Sequence, residues 1–122
     1  MATKEITVLP LHYDLFVWYA NKLGSYPKKF KYNVGERIIN CFLDILESII
    51  EAQYTSKKKS HFLRKANLSL EKLRFLVRLS KDVQCISLKD YEYAIRQIND
   101  IGKMVGGWEK YSKEKEDDGK EA

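Results

Sequence analysis

The 122-residue chain is poor in cysteine and histidine, which build metal sites and cross-links, and in proline, which breaks helices: it has two of each. Each scarcity excludes something. Cys41 and Cys85 are far apart, with no CxxC pair and no histidine at metal-ligand spacing, so they read as two reduced, buried thiols. His12 and His61 have no second histidine three or four residues away, and HExxH, GxxxxGK[ST] and GxGxxG are all missing. Neither histidine has an arginine four to six residues upstream, the spacing used by small helical RNases of the HEPN type, which removes the most plausible nuclease reading. No catalytic residue, metal or cofactor is therefore expected. No apolar run approaches the roughly 18 to 20 residues of a membrane span, and Met1 to Leu9 carries Lys4 and Glu5 but no signal-peptide core. A cytoplasmic protein with no membrane partner is expected.

Both prolines, Pro10 and Pro27, precede residue 28, and the rest of the chain has helical periodicity, so the fold class is all-α. Four helices are expected: Leu9 to Leu23 with Pro10 in its first turn, Lys29 to Gln53, Ser60 to Val83, and Ser87 to Tyr111. Gly24 stops the first, and Ser87-Leu88-Lys89-Asp90 forms a capping-box pattern at the start of the fourth. Short loops between long helices dictate an antiparallel up-down-up-down four-helix bundle over residues 1–112. Residues 113–122, KEKEDDGKEA, carry three positive and five negative side chains and read as an acidic, disordered tail. Gly102, Gly106 and Gly107 inside the fourth helix each cost about 1 kcal/mol relative to alanine and need a packing reason. Gly102, on the core face, would admit a neighbouring helix. Gly106 and Gly107 would loosen the last turn or make room for Trp108.

The apolar residues wrap too far around two of the helices for one bundle to cover. The fourth helix has a single seam, Tyr91, Ala94, Ile95, Ile98, Ile101, Val105 and Trp108. The third has a core seam and a second one of Leu68, Phe75 and Leu79, together spanning roughly two thirds of its circumference. On the second helix the core seam grades into Ile39, Leu43, Leu46 and Ile50. Surplus seams of this kind call for another subunit, so a homo-oligomer is expected with these seven residues in its interface.

Residues 1–112 hold 19 basic and 12 acidic side chains, which makes the folded part more basic than the whole and points to a polyanionic partner. The cations cluster. Lys28, Lys29 and Lys31 flank the start of the second helix, Lys57, Lys58 and Lys59 fill the loop before the third, and Arg64, Arg74, Arg78 and Lys81 occupy its narrow polar face. A line of guanidinium and ammonium groups one helical turn apart suits successive phosphates, an acidic partner surface, or salt bridges between subunits. Asp44, Glu47 and Glu51 share a face of the second helix that reads as a solvated acidic face rather than a metal site.

Three stretches together resemble the accessory variability determinant (Avd) family of diversity-generating retroelements: Tyr26-Pro27-Lys28-Lys29-Phe30-Lys31 leading to Gly35, the run from Leu70 to Leu79, and Tyr91 through Ile98-Asn99-Asp100-Ile101-Gly102 to Gly106-Gly107-Trp108. The four-helix-bundle proteins encoded in intervening sequences of bacterial large-subunit rRNA genes are similar. The resemblance implies a homopentameric barrel, basic on its outside. It also implies a non-enzymatic accessory that binds the element's reverse transcriptase and RNA or DNA during mutagenic copying of a template. Arg74 and Arg78 match paired arginines of the family's third helix. The lysines before the second helix, where arginine is expected in the family, and the acidic tail depart from its pattern. The alternative within the same fold is an intervening-sequence-type bundle acting as a structural or interaction module without a reverse transcriptase.

Overall fold

A computed structural model describes the backbone of residues 2–121 and the side chains of residues 8–119. It contains α1 (Ala2–Leu23), α2 (Lys28–Lys31), α3 (Val34–Tyr54), α4 (Lys59–Asp82) and α5 (Leu88–Glu121), and no strand among the described residues. The four long helices form a bundle in which α1 and α4 each pack on both α3 and α5. Polar pairs give the register of α4 against α5. Ser60, Asn67 and Arg74, seven residues apart along α4, meet Glu116, Glu109 and Asn99 in descending order on α5, as an antiparallel pair requires.

The core is built from the expected seams. Leu15 and Tyr19 of α1, Ile38, Phe42, Ile45 and Ile49 of α3, Leu63, Leu70, Leu73 and Val77 of α4, and Ala94, Ile98, Ile101 and Val105 of α5 are all buried. A fully buried leucine or isoleucine contributes about 1.5–3 kcal/mol. His12 belongs to this core: it is fully buried, its Nε2 lies 2.9 Å from the Phe42 carbonyl, and its ring packs against Phe16 and Phe42. Cys41 and Cys85 are free and buried, and burial raises both thiol pKa values.

At one end the link between α1 and α3 is tied down by Tyr26, whose hydroxyl lies 2.7 Å from that of Tyr19, both rings being buried. Burial, the largest cause, raises the pKa of each phenol. The turn after α4 is a Schellman motif. Cys85 N–H donates to the Ser80 carbonyl and Gln84 N–H to that of Lys81, which puts Gln84 at φ 65°, a conformation glycine adopts without penalty. Ser87 then caps α5 by accepting from the Asp90 N–H, while the Asp90 carboxylate pairs with Lys22 instead of completing a capping box.

The architecture departs from the sequence expectation in three places. α1 starts at Ala2, so Pro10 lies inside the helix and not in its first turn. The expected second helix is two: α2 stops at Lys31, and Asn33 restarts the chain by accepting from the Val34 N–H and donating to the Lys29 carbonyl. The segment from 113, read as a disordered tail, continues α5 to Glu121, and Glu116 bonds the first turn of α4.

Candidate functional site

The cations singled out in the sequence fall at both ends of the bundle. Lys28, Lys29 and Lys31 ride on α2, a single turn with no buried residue, beside the end where Arg78 and Lys81 close α4. Lys57, Lys58, Lys59 and Arg64 lie at the other end. α4, 24 residues and about 36 Å long, runs from one group to the other. The basic surface is thus a strip along α4 with a cluster at each end, which suits an extended polyanion better than a compact ligand.

Availability differs from residue to residue. Lys28, Lys57, Lys58 and Arg64 are exposed and make no ion pair among the described residues. Lys29 and Lys31 lie near the rings of Phe30 and Tyr32, their own neighbours in sequence, leaving their charges unneutralised. Arg78 is 64% exposed, with Asp82 at 3.9 Å. That pair is weak in water and leaves the guanidinium free for a phosphate.

Three of the ten candidates have structural duties. Arg74 donates from Nε to Asn99 Oδ1 at 3.0 Å and from Nη1 to Glu71 at 2.9 Å, and it is only 30% exposed. Its guanidinium lies over Gly102, where a Cβ would stand 2.7 Å from Nη2. A Cβ at Gly106 would stand 3.9 Å from Asn67 of α4, an ordinary contact distance, so of these two glycines only Gly102 makes room for a polar side chain of α4. Lys59 Nζ donates to the carbonyls of Ala52 and Gln53 at the end of α3. Lys81 sits 3.4 Å from Asp82 and over the ring of Tyr91. The sequence pattern marked these side chains as basic and surface-facing but could not reveal partners that come from distant segments.

The apolar residues assigned to an interface form two strips. On α4, Leu68, Phe75 and Leu79 are 56%, 62% and 42% exposed. On α3, Leu43 and Ile50 are exposed, while Ile39 and Leu46 are half-buried. Between the strips runs a groove lined by Asp44, Glu47 and Glu51 from one side and Lys65, Leu68 and Lys72 from the other. The acidic face of α3 therefore looks onto lysines of its own bundle. No group of three or more potential metal ligands occurs among the described residues, and no helix is long and apolar enough to cross a membrane.

Four residues that the sequence reading did not single out gather at the end holding Lys57 and Lys59. Tyr111, Ser112, Lys115 and Glu116 of α5 line a cavity there with Trp108. Lys115 and Glu116 fall in the segment read as a tail, and Tyr111 and Ser112 at the end of the fourth helix carry no motif that marks a site.

A family model described as bAvd-like matches residues 8–112 of the chain. No curated protein matches it.

Proposed function

The chain belongs to the bAvd-like family, and from that premise we propose that it is a non-enzymatic accessory protein of a diversity-generating retroelement. It binds the element's reverse transcriptase and the template RNA or its cDNA along a basic surface, and it acts by holding them together. The observation that carries this reading is the set of exposed cations, Lys28, Lys57, Lys58, Arg64 and Arg78, spread over the length of one helix with little or no neutralisation from within the bundle. Phosphate contacts of this kind supply most non-specific nucleic-acid affinity through counterion release.

The exposed strips on α3 and α4 support assembly of the chain with copies of itself. They differ from each other and are separated by a charged groove, so joining the α4 strip of one subunit to the α3 strip of the next is a heterologous contact. Repeated around an axis, such a contact closes a ring, and five subunits is the number the Avd resemblance favours.

Co-expression of the tagged protein with a reverse transcriptase encoded beside it tests the partner. Co-purification that survives nuclease treatment is the expected result. If the two proteins do not associate, and the neighbouring genes lack a reverse transcriptase and paired variable and template repeats, the intervening-sequence-type structural module replaces this reading.

A further inference from the structure

The end of the bundle where α3 stops and α4 begins holds a cavity of about 620 Å³, lined by Lys57, Lys59, Trp108, Tyr111, Lys115 and Glu116 among others. That is within the range of small-molecule sites, about 300–1,000 Å³. Its walls are fixed by hydrogen bonds. Glu116 accepts from the Ser60 N–H at 3.1 Å and from the Ser60 hydroxyl at 2.5 Å, supplying α4 with the N-terminal cap that Lys58 does not provide. Lys59 spends its ammonium on the last carbonyls of α3. The lining carries the ammonium groups of Lys57, Lys59 and Lys115 against the single carboxylate of Glu116, so an incoming anion meets a net positive charge. The two ammonium groups not tied to the backbone are Lys57, which is exposed, and Lys115, held 5.7 Å from the centre of the Tyr111 ring. Neither makes an ion pair among the described residues. Tyr111 is exposed, whereas Trp108 is buried, with Lys59 Nζ 6.0 Å from the centre of its ring.

We propose that this cavity binds a nucleoside phosphate, with the base on the exposed ring of Tyr111, beside the buried Trp108, and the phosphate drawn by Lys57 and Lys115. Aromatic faces accept any base by stacking, and paired ammonium groups supply the counter-charge, the combination by which proteins hold unpaired nucleotides. The inference rests on the nucleic-acid reading above and deepens it: the strip along α4 tracks a backbone, and the cavity takes an unstacked base. The same chemistry could reach the cavity as a free mononucleotide or as an exposed or terminal base of a single strand.

Emission from Trp108, isolated in a Trp18→Phe background, reports the cavity, while anisotropy of a labelled single-stranded oligonucleotide reports binding to the whole surface. Saturable change of Trp108 emission on adding the oligonucleotide is expected. In the wild-type background Tyr111→Ala should weaken strand binding about tenfold, Lys115→Ala should weaken it measurably, and Tyr111→Phe should retain it. Titration with adenosine monophosphate separates the sources. A response to the mononucleotide assigns the cavity to free nucleotides as well, and a response to the strand alone assigns it to an unpaired base within a strand. Normal anisotropy with silent Trp108 emission, and with Tyr111→Ala and Lys115→Ala unaffected, overturns the cavity proposal while the α4 strip stands. Loss of all strand binding in the wild-type protein overturns the surface reading. The cavity then survives only if the mononucleotide still changes Trp108 emission.

Discussion

Arg74 rests on Gly102, its Nη2 standing 2.7 Å from where a Cβ would be, while its Nε donates to Asn99 of the same helix. Two residues 28 positions apart in sequence thus decide whether a conspicuous arginine points at a partner or binds its own bundle. Gly102→Ala adds a methyl group that the flexible guanidinium must vacate. Helix propensity gains about 1 kcal/mol, and the lost hydrogen bond costs about as much. The variant should therefore keep its melting temperature within a few degrees and present one more free cation. Its slope of log K against log[salt] for RNA should steepen by up to one contact. A shallower slope would mean that Arg74 already contacts phosphate from its place over Gly102.

Gln84 pays for its left-handed conformation with about 1 kcal/mol of backbone strain. Gln84→Gly removes the Cβ clash but frees the unfolded chain, so the net gain should be a few tenths to about 1 kcal/mol. Thermal or urea denaturation should register a small stabilisation. A loss of stability would show that the glutamine side chain makes a contact worth more than the strain.

His12 gives folding a pH dependence with a definite sign. The Phe42 carbonyl can only accept, so Nε2 carries the proton and Nδ1, which has no hydrogen-bond partner, bears the lone pair. Burial pulls the imidazole pKa below 6.5, and the bond to Phe42 offsets part of that fall. Between the lowered folded value and 6.5 the unfolded chain binds more protons, so stability rises with pH there and is lost as pH falls below 6.5. The wild-type protein should lose more stability than His12→Phe between about pH 7.5 and about pH 5.5 in urea melts. Equal losses would show that His12 protonates normally in the fold.

The segment after residue 112 should contribute to stability. Glu116 of this segment caps α4 through Ser60. Glu116→Ala should cost about 1 kcal/mol, the value of an N-terminal cap, and deletion of 113–122 at least as much. Unchanged melting of both variants would return the segment to the role of a solvated tail.

Much of this fold was legible in the sequence because its punctuation is local. Gly24 and Pro27 end α1, Ser87 starts α5, and the 3.6-residue apolar period places the core. The break before α3 carried a readable signal, Asn33 with Glu36 three residues later, which a count of apolar residues passed over. The tail was misread because composition measures the lack of apolar side chains but not a single carboxylate reaching Ser60. The basic candidates were found as charges. Which of them had intramolecular work, as Arg74 and Lys59 do, depended on contacts with segments 6 to 28 positions away.

The most direct test of the account is the affinity of the protein for single-stranded RNA measured by anisotropy over a range of salt. The wild-type protein is compared with a Lys57→Ala/Lys58→Ala/Arg64→Ala/Arg78→Ala variant whose helicity and assembly are checked alongside. The account predicts a steep fall of log K with log[salt] for the wild type. It predicts weaker binding and a slope shallower by up to about 0.7 for each contact removed in the variant. Binding that is absent, insensitive to salt or unchanged in the variant would contradict it.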